Sequence, residues 1–180
     1  DAARDILRRH ARATAVLQSW TMLTDYLALN AVRERVEVFR VLLLDRKNKL
    51  IRDRIMSRGS IDHVPVYVSE VMRSALVLDA SALILCHNHP SGDPQPSQAD
   101  IDMTGKIVDA CRVMNITLHD HLIVGFGREQ AAFSMRAAGM LGDYGRGRFR
   151  PGWRVAQGSG SSNLRRDCLV GAEAAVQAAF

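Results

Sequence analysis

The stretch that decides the fold is residues 81–100, SALILCHNHPSGDPQPSQAD. Residues 81–86 form a short apolar run without alternation, which is typical of a central strand covered on both faces. Residues 87–96 contain three prolines and one glycine and predict a loop. Residues 98–114 show apolar side chains at helical spacing, and Ser97 is a candidate cap for that helix. The stretch therefore predicts a unit of strand, loop and helix.

The segments around this unit also alternate between strand and helix patterns. A strand ends at Asp45, and a polar turn over residues 46–49 connects it to a returning strand, so this pair predicts a hairpin. Ser69 is a plausible cap for a helix that runs to about residue 79, and Phe133 lies in the segment that closes the fold. The alternation indicates an α/β domain, a mixed sheet flanked by helices. The predicted strands are residues 36–44, 50–56, 81–86, 116–118 and 122–124.

The two ends of the chain differ from this core. Residues 1–30 carry partial helical spacing and predict a short helical lead-in. Residues 142–180 begin with a segment rich in Gly, Arg and Ser, which indicates a flexible tail. We therefore expect one catalytic domain over residues 31–141, with an appendage on each side.

Cysteine content and hydropathy indicate the cellular compartment in which we expect the protein. The three cysteines show no paired spacing and no CxxC pattern, which argues for a reducing cytoplasm rather than a disulfide scaffold. No apolar run approaches the roughly 20 residues that span a bilayer, and the N-terminus has no signal-peptide pattern. The expectation is a cytoplasmic protein without a membrane partner.

The basic excess lies outside the predicted domain. The formal net charge is +5, yet residues 41–141 contain eleven basic and eleven acidic residues. A uniformly basic face of the kind that binds nucleic acid is therefore not evident in the core. Nucleic-acid binding through the basic flanks is only weakly supported, and the oligomeric state is left open.

Two histidines follow the predicted central strand. His87 and His89 are two residues apart, so on extended backbone their side chains lie on the same side, as two ligands of one ion require. Asp100, one turn into the next helix, is a candidate third ligand. Two histidines and a carboxylate leave one position open for water, which is typical of catalytic zinc. A single buried histidine is more often structural, and Ser97 can simply cap the helix.

The same residues carry a family resemblance. His87-Asn88-His89-Pro90 is followed by seven residues, then Ser97, two residues and Asp100. This spacing resembles the motif of Jab/MPN metalloenzymes, whose fold is similar to that of cytidine deaminases. The longer strings HNHPSGDPQPS (residues 87–97) and LHDHLIVG (residues 118–125) are similar to the RadC branch. The resemblance covers about residues 30–141.

The resemblance implies a mechanism and a cofactor. It implies that His87, His89 and Asp100 bind Zn²⁺ and that Glu37, with Glu34 as the fallback, moves a proton between the activated water and the leaving amine. It also implies that Ser97 donates a hydrogen bond to the oxyanion. The implied activity is that of a zinc metallopeptidase acting on a peptide or protein substrate, through a peptide or isopeptide amide.

Other interpretations remain open at this point. One is a non-catalytic interaction or DNA-binding module, because RadC proteins carry a historical DNA-repair label. A zinc deaminase would need His-x-Glu followed by Pro-Cys-x-x-Cys, and neither pattern occurs. The letters HNH carry no weight for a nuclease, because the residues of that motif are dispersed over a longer element. His119 and His121 flank Asp120, where a structural role is favoured over contact with a metal ligand.

Overall fold

Five strands form one mixed sheet, with two helices between strands along the chain. The computed structural model describes residues 23, 26–27, 36–59, 66–125 and 131–142. The strand order across the sheet is β2-β1-β3-β4-β5. This architecture confirms the predicted α/β fold. The strands are β1 Glu37–Leu44, β2 Leu50–Gly59, β3 Ala82–His89, β4 Thr117–Gly125 and β5 Ala131–Ser134, and the helices are α1 Val68–Val77 and α2 Gln98–Val113.

The first two strands form the predicted antiparallel hairpin. Its turn is closed by Asp45, whose Oδ1 accepts hydrogen bonds from the amides of Lys47 (2.8 Å) and Lys49 (2.9 Å). Asn48 takes the left-handed conformation with φ 56°, which asparagine tolerates better than most residues. The returning strand extends to Gly59, beyond the predicted end at residue 56.

Strand β3 lies in the centre of the sheet, antiparallel to β1 and parallel to β4. Helix α2 forms the connection between β3 and β4, as a parallel pair requires. Residues 82–86 are buried throughout, so the prediction of a doubly covered central strand is confirmed. The loop predicted from residue 87 is wrong for its first three residues, because pairing with β4 extends β3 through His89.

Each face of the sheet has its own apolar cluster. On one face, which we call the helical face, strand residues such as Val41 and Leu85 pack with Val71 of α1 and Ile107 of α2. On the opposite face, residues that include Leu42, Leu44, Ile84 and Cys86 pack with Leu23, Tyr26 and Leu27. Burial on both faces explains why β1 and β3 read as continuous apolar runs rather than as alternating ones.

Helix α1 begins earlier than the sequence pattern indicated. Its N-cap is Tyr67, which makes no side-chain capping bond, and Val68 is the first helical residue. The prediction that Ser69 caps this helix is therefore wrong. The backbone carbonyl of Tyr67 accepts from the amides of Glu70 and Val71, so backbone geometry alone starts the helix.

Strand β4 is one continuous strand and not the two short strands that were predicted. Its register with β3 shifts between the pairs Leu83–Leu118 and Ile84–Asp120, so His119 is an extra residue. Because side chains alternate along a strand, one extra residue moves every later side chain to the other face. His121 consequently lies on the same side as His87, to which it is hydrogen-bonded.

The predicted appendages lie largely outside the described residues. Of residues 1–30, Leu23, Tyr26 and Leu27 are described; they are helical and buried against the sheet. Of residues 142–180, the structure describes residue 142 alone. Within the described portion, no helix is long and apolar enough to cross a bilayer.

A buried carboxylate joins β4 to the segment after β5. Asp120 accepts hydrogen bonds from the backbone amides of His121 (2.7 Å) and Arg136 (2.9 Å) and from the hydroxyl of Ser134. Burial raises the pKa of Asp120 to about 6, although these hydrogen bonds act in the opposite direction. The folded state therefore holds a proton on this group over a range in which the unfolded chain has released it.

We predict that Asp120→Asn removes a pH-dependent loss of stability. Since the folded pKa lies above the ordinary value, wild type loses stability as pH rises from about 4 to 6, whereas asparagine does not titrate. The free energy of unfolding of wild type, relative to the variant, should fall by about 2–3 kcal/mol between pH 4 and pH 7. Urea unfolding of both proteins across this range measures it, and parallel pH profiles would contradict the assignment.

Candidate metal centre

Three elements bring four side chains of types that can bind a metal to one end of the sheet. His87 and His89 alternate with Asn88 at the carboxyl end of β3, so both imidazoles lie on the helical face. Asp100 lies in the first turn of α2, and Glu37 begins β1. One donor atom from each of these four residues lies within 4.8 Å of the other three.

Donor atoms of three of these residues lie close to the separations expected around a single ion. His87 Nε2 lies 2.8 Å from His89 Nε2 and 3.3 Å from Asp100 Oδ1, and His89 Nε2 lies 3.6 Å from Asp100 Oδ2. Ligands placed tetrahedrally at zinc–ligand distances of about 2.0–2.1 Å are separated by roughly 3.3–3.4 Å. The observed separations bracket this value, and nitrogen and oxygen donors of these types can hold a four-coordinate ion; with the two histidines and Asp100 as its protein ligands, the fourth position would be open.

The carboxylate of Asp100 is held by the residue that caps its helix. Asp100 Oδ2 accepts from the amide of Ser97 (2.7 Å) and from its hydroxyl (2.6 Å), and the Ser97 hydroxyl accepts from the amide of Asp100 (3.2 Å). This is a complete capping box, so the predicted helix cap is confirmed. Because Oδ2 is fixed in this way, the other oxygen is directed at His87.

The loop after β3 fixes the orientation of His89. His89 Nδ1 lies 2.7 Å from the backbone carbonyl of Asp93. A carbonyl only accepts, so Nδ1 carries the hydrogen and the neutral ring has its lone pair on Nε2. That nitrogen is the one that lies among the other donors.

The ring of His87 is buried and stacked. It is 1% exposed, and the ring of Phe39 stacks on it with centroids 6.0 Å apart. Burial, offset in part by Asp100, lowers the pKa of His87 to about 4. At neutral pH this ring is therefore uncharged, as a metal ligand must be.

The protonation states of His89 and Asp100 affect each other. Burial acts to lower the pKa of His89, but Asp100, the Asp93 carbonyl and Glu37 outweigh it and raise that pKa. Burial acts to raise the pKa of Asp100, yet contacts with His89, His87 and Ser97 hold it well below its usual range. A proton on His89 therefore stabilises the cluster. A cation bound in place of this proton would be attracted by the same carboxylates.

Asn88 holds the backbone on both sides of Glu37. Its Oδ1 accepts from the amide of Val38 (2.9 Å), and its Nδ2 donates to the carbonyl of Val36 (3.0 Å). Backbone pairing of β1 with β3 ends at Phe39 opposite His87, so the side chain of Asn88 replaces the backbone bonds beyond that point. It fixes the backbone of Glu37 relative to the two histidines.

The structure brings together the predicted ligands His87, His89 and Asp100 with Glu37, and it joins Ser97 to them through Asp100. Glu34, the alternative to Glu37, lies outside the described residues. Sequence reasoning missed the part played by Asn88, because an amide between two histidines gives no periodic signal. The string LHDHLIVG did contain His121, whose contact with His87 becomes apparent only from the register shift in β4.

A close backbone contact positions the loop between the ligands. A Cβ on Gly125, at the end of β4, would lie 2.1 Å from the carbonyl oxygen of Gly92 and 3.1 Å from Cδ of Pro94. Because the nearest atom belongs to the backbone, a side chain there would displace the loop that connects His89 to Asp100. Glycine at this position therefore preserves the spacing of the ligands.

We predict that Gly125→Ala weakens zinc binding while the sheet stays folded. Overpacking of this kind costs about 1–3 kcal/mol, and here the displaced loop lies between the candidate ligands His89 and Asp100. Gly139→Ala is the control, since an added Cβ meets nothing within 4 Å at its φ of +72°; it should lower stability without changing zinc affinity. Competition titration with a chromophoric chelator measures both, and unchanged affinity in Gly125→Ala would contradict this role.

Comparison with known proteins places the chain in a family. A family model described as a RadC-like JAB domain matches residues 17–140. A UPF0758 protein of Rhodobacter capsulatus is 54% identical over 140 residues, which cover 78% of this chain and 64% of the relative. A UPF0758 protein of Ruegeria pomeroyi is 51% identical over 140 residues, covering 78% and 61% respectively. The aligned part thus spans somewhat less than two thirds of either relative, and the chain belongs to the RadC-like JAB domain family.

Proposed function

We propose that this protein is a zinc-dependent hydrolase that cleaves a peptide or isopeptide amide. The observation that carries the proposal is the set of donor separations of 2.8, 3.3 and 3.6 Å among His87, His89 and Asp100. Membership of the RadC-like JAB domain family, which includes hydrolases, supports it. In this proposal the two histidines and the aspartate hold the ion, and Glu37 moves protons.

In this proposal the ion is zinc. Neutral imidazole and carboxylate are good zinc ligands, and the sulfur ligands typical of structural sites are not part of the cluster. Bound zinc supplies a Lewis acid that polarises a carbonyl and lowers the pKa of water towards about 7. The buried, uncharged His87 requires no deprotonation near neutral pH, so proton competition at this ligand is weak.

Glu37 is the general base and acid in this proposal. It is half-buried at the start of β1, and one of its carboxylate oxygens lies within 4.8 Å of the donors from His87, His89 and Asp100. From there it takes a proton from the attacking water and delivers it to the leaving amine. A positioned carboxylate of this kind contributes roughly 10²–10⁴-fold to a rate.

Ser97 supplies a hydrogen-bond donor next to the ligand set. Its hydroxyl lies 2.6 Å from Asp100 Oδ2. The Ser97 amide also donates to that oxygen (2.7 Å), so Asp100 keeps a partner when the hydroxyl turns away. In the proposed reaction the hydroxyl turns towards the oxyanion that forms as the carbonyl is attacked.

In this proposal, separate elements have separate tasks. The carboxyl end of β3 and the first turn of α2 hold the ion, and β1 contributes the base. The residue before α2 stabilises the negative charge on the oxyanion. The substrate that we propose is a peptide or protein carrying such an amide bond.

We predict that Glu37→Gln retains zinc and loses turnover. Glutamine keeps the shape of the side chain but cannot accept the proton, so kcat should fall by about 10²–10⁴-fold at unchanged zinc content. The assay is hydrolysis of a panel of fluorogenic peptide and isopeptide amides by zinc-loaded protein, with metal content measured on the same samples. Activity of the wild type should disappear with a chelator and return with zinc.

Glu70→Gln is the matched control, because Glu70 is an exposed glutamate of α1 that pairs with Arg73. It should cleave the same substrates at the wild-type rate. Full activity in Glu37→Gln would show that another group moves the proton. Failure of zinc-loaded wild type to cleave any member of the panel would argue against an amide hydrolase.

A further inference from the structure

A chain of hydrogen bonds connects His87 to the body of helix α2. His87 Nδ1 lies 2.9 Å from His121 Nε2, and His121 Nδ1 lies 2.6 Å from the hydroxyl oxygen of Thr104. The Thr104 hydroxyl in turn lies 2.5 Å from the backbone carbonyl of Asp100. His121 and Thr104 are both fully buried. The chain therefore begins at one candidate ligand and ends at the backbone of another.

Once the proton of the Thr104 hydroxyl is placed, the positions of the other protons in this chain follow. The Thr104 hydroxyl donates to the Asp100 carbonyl at 2.5 Å, a much shorter contact than its alternative with Sδ of Met135 at 3.6 Å, and we infer that its single proton lies there rather than on the side of His121. The Thr104 oxygen then accepts from Nδ1–H of His121. A neutral His121 consequently has a bare Nε2, which accepts from Nδ1–H of His87.

The result is a fixed tautomer of the candidate ligand. With its hydrogen on Nδ1, His87 has its lone pair on Nε2, the nitrogen that lies 3.3 Å from Asp100 Oδ1 and 2.8 Å from His89 Nε2. His87 in the other tautomer would direct an N–H into the ligand cluster. Hydrogen-bond partners of metal-bound histidines commonly set ring orientation and tautomer in this way.

We propose that Thr104 and His121 are positioning residues that hold His87 in the tautomer able to bind zinc. The inference rests on the proposed metal centre and adds two residues to it. Phe39 supports the arrangement sterically, since its ring stacks on His87 and meets His121 edge-on with centroids 5.7 Å apart. The tautomer is set by a hydroxyl on α2, one turn after Asp100.

Two substitutions at Thr104 separate this role from simple packing. Thr104→Val keeps the branched shape but removes the hydroxyl, so His121 loses its acceptor. His121 can then carry its hydrogen on Nε2 and donate to His87, which moves the hydrogen of His87 to Nε2. Thr104→Ser removes a methyl group but keeps the hydroxyl, and it is the matched control.

The first readout is zinc affinity, measured by competition with a chromophoric chelator. We expect a 10–100-fold loss of affinity in Thr104→Val, the range found when such supporting partners are removed, and a change of less than about threefold in Thr104→Ser. The second readout is the ¹⁵N chemical shifts of the His87 ring in the metal-free protein. We expect hydrogen on Nδ1 in wild type and in Thr104→Ser, and a shift towards Nε2 in Thr104→Val.

The inference would be overturned if Thr104→Val kept the zinc affinity and the His87 tautomer of the wild type. It would also be overturned if both variants lost affinity equally, because packing alone would then explain the loss. The hydrolase proposal and the tautomer proposal can be contradicted independently of each other. Absence of zinc binding in wild type would contradict the proposed hydrolase, whereas the ring spectrum of the metal-free protein would still decide whether Thr104 sets the tautomer of His87.

Discussion

The capping box between Ser97 and Asp100 is the interaction on which the site depends. It begins α2 at a defined residue, and it holds the same carboxylate oxygen through both the amide and the hydroxyl of Ser97. The remaining oxygen of Asp100 is thereby brought to 3.3 Å from His87 Nε2. Helix initiation and ligand placement are consequently one event, because the side chain that satisfies the helix N-terminus also completes the donor set.

The sheet positions the two histidines and the loop that follows them. Extension of β3 through His89 gives the two histidines the alternation that places both rings on the helical face, and Gly125 allows the loop to return closely over the end of β4. Burial of the sheet on both faces makes the surroundings of His87 apolar. The ring of His87, stacked on Phe39, is uncharged at neutral pH, so no proton has to leave it before an ion binds.

Much of the fold and of the candidate site was predictable from sequence, for identifiable physical reasons. The hairpin around Asp45, the central strand and the cap at Ser97 all depend on local patterns that the structure confirms. The spacing from His87 to Asp100 led to the same donor atoms that the fold brings together. The resemblance to the RadC branch agrees with the family comparison.

The errors arise where long-range pairing overrides local pattern. Prolines after His89 suggested a loop from residue 87, but pairing with β4 keeps residues 87–89 extended. The polar residues Asp120 and His121 made β4 look like two short strands, and only its pairing with β3 shows on which side His121 lies. Ser69 resembled a cap, yet Tyr67 begins the helix through its backbone. None of these features has a signal within a few residues of sequence.

The most direct test of the metal centre is the zinc content of the purified protein, measured by elemental analysis after zinc is supplied and excess is removed. We predict close to one zinc per chain in wild type and none in the double variant His87→Ala/His89→Ala. The control His119→Ala should keep the ion, because His119 bonds to Asn48 and is not part of the donor cluster. Zinc retained by the double variant, or no zinc in wild type, would contradict the account.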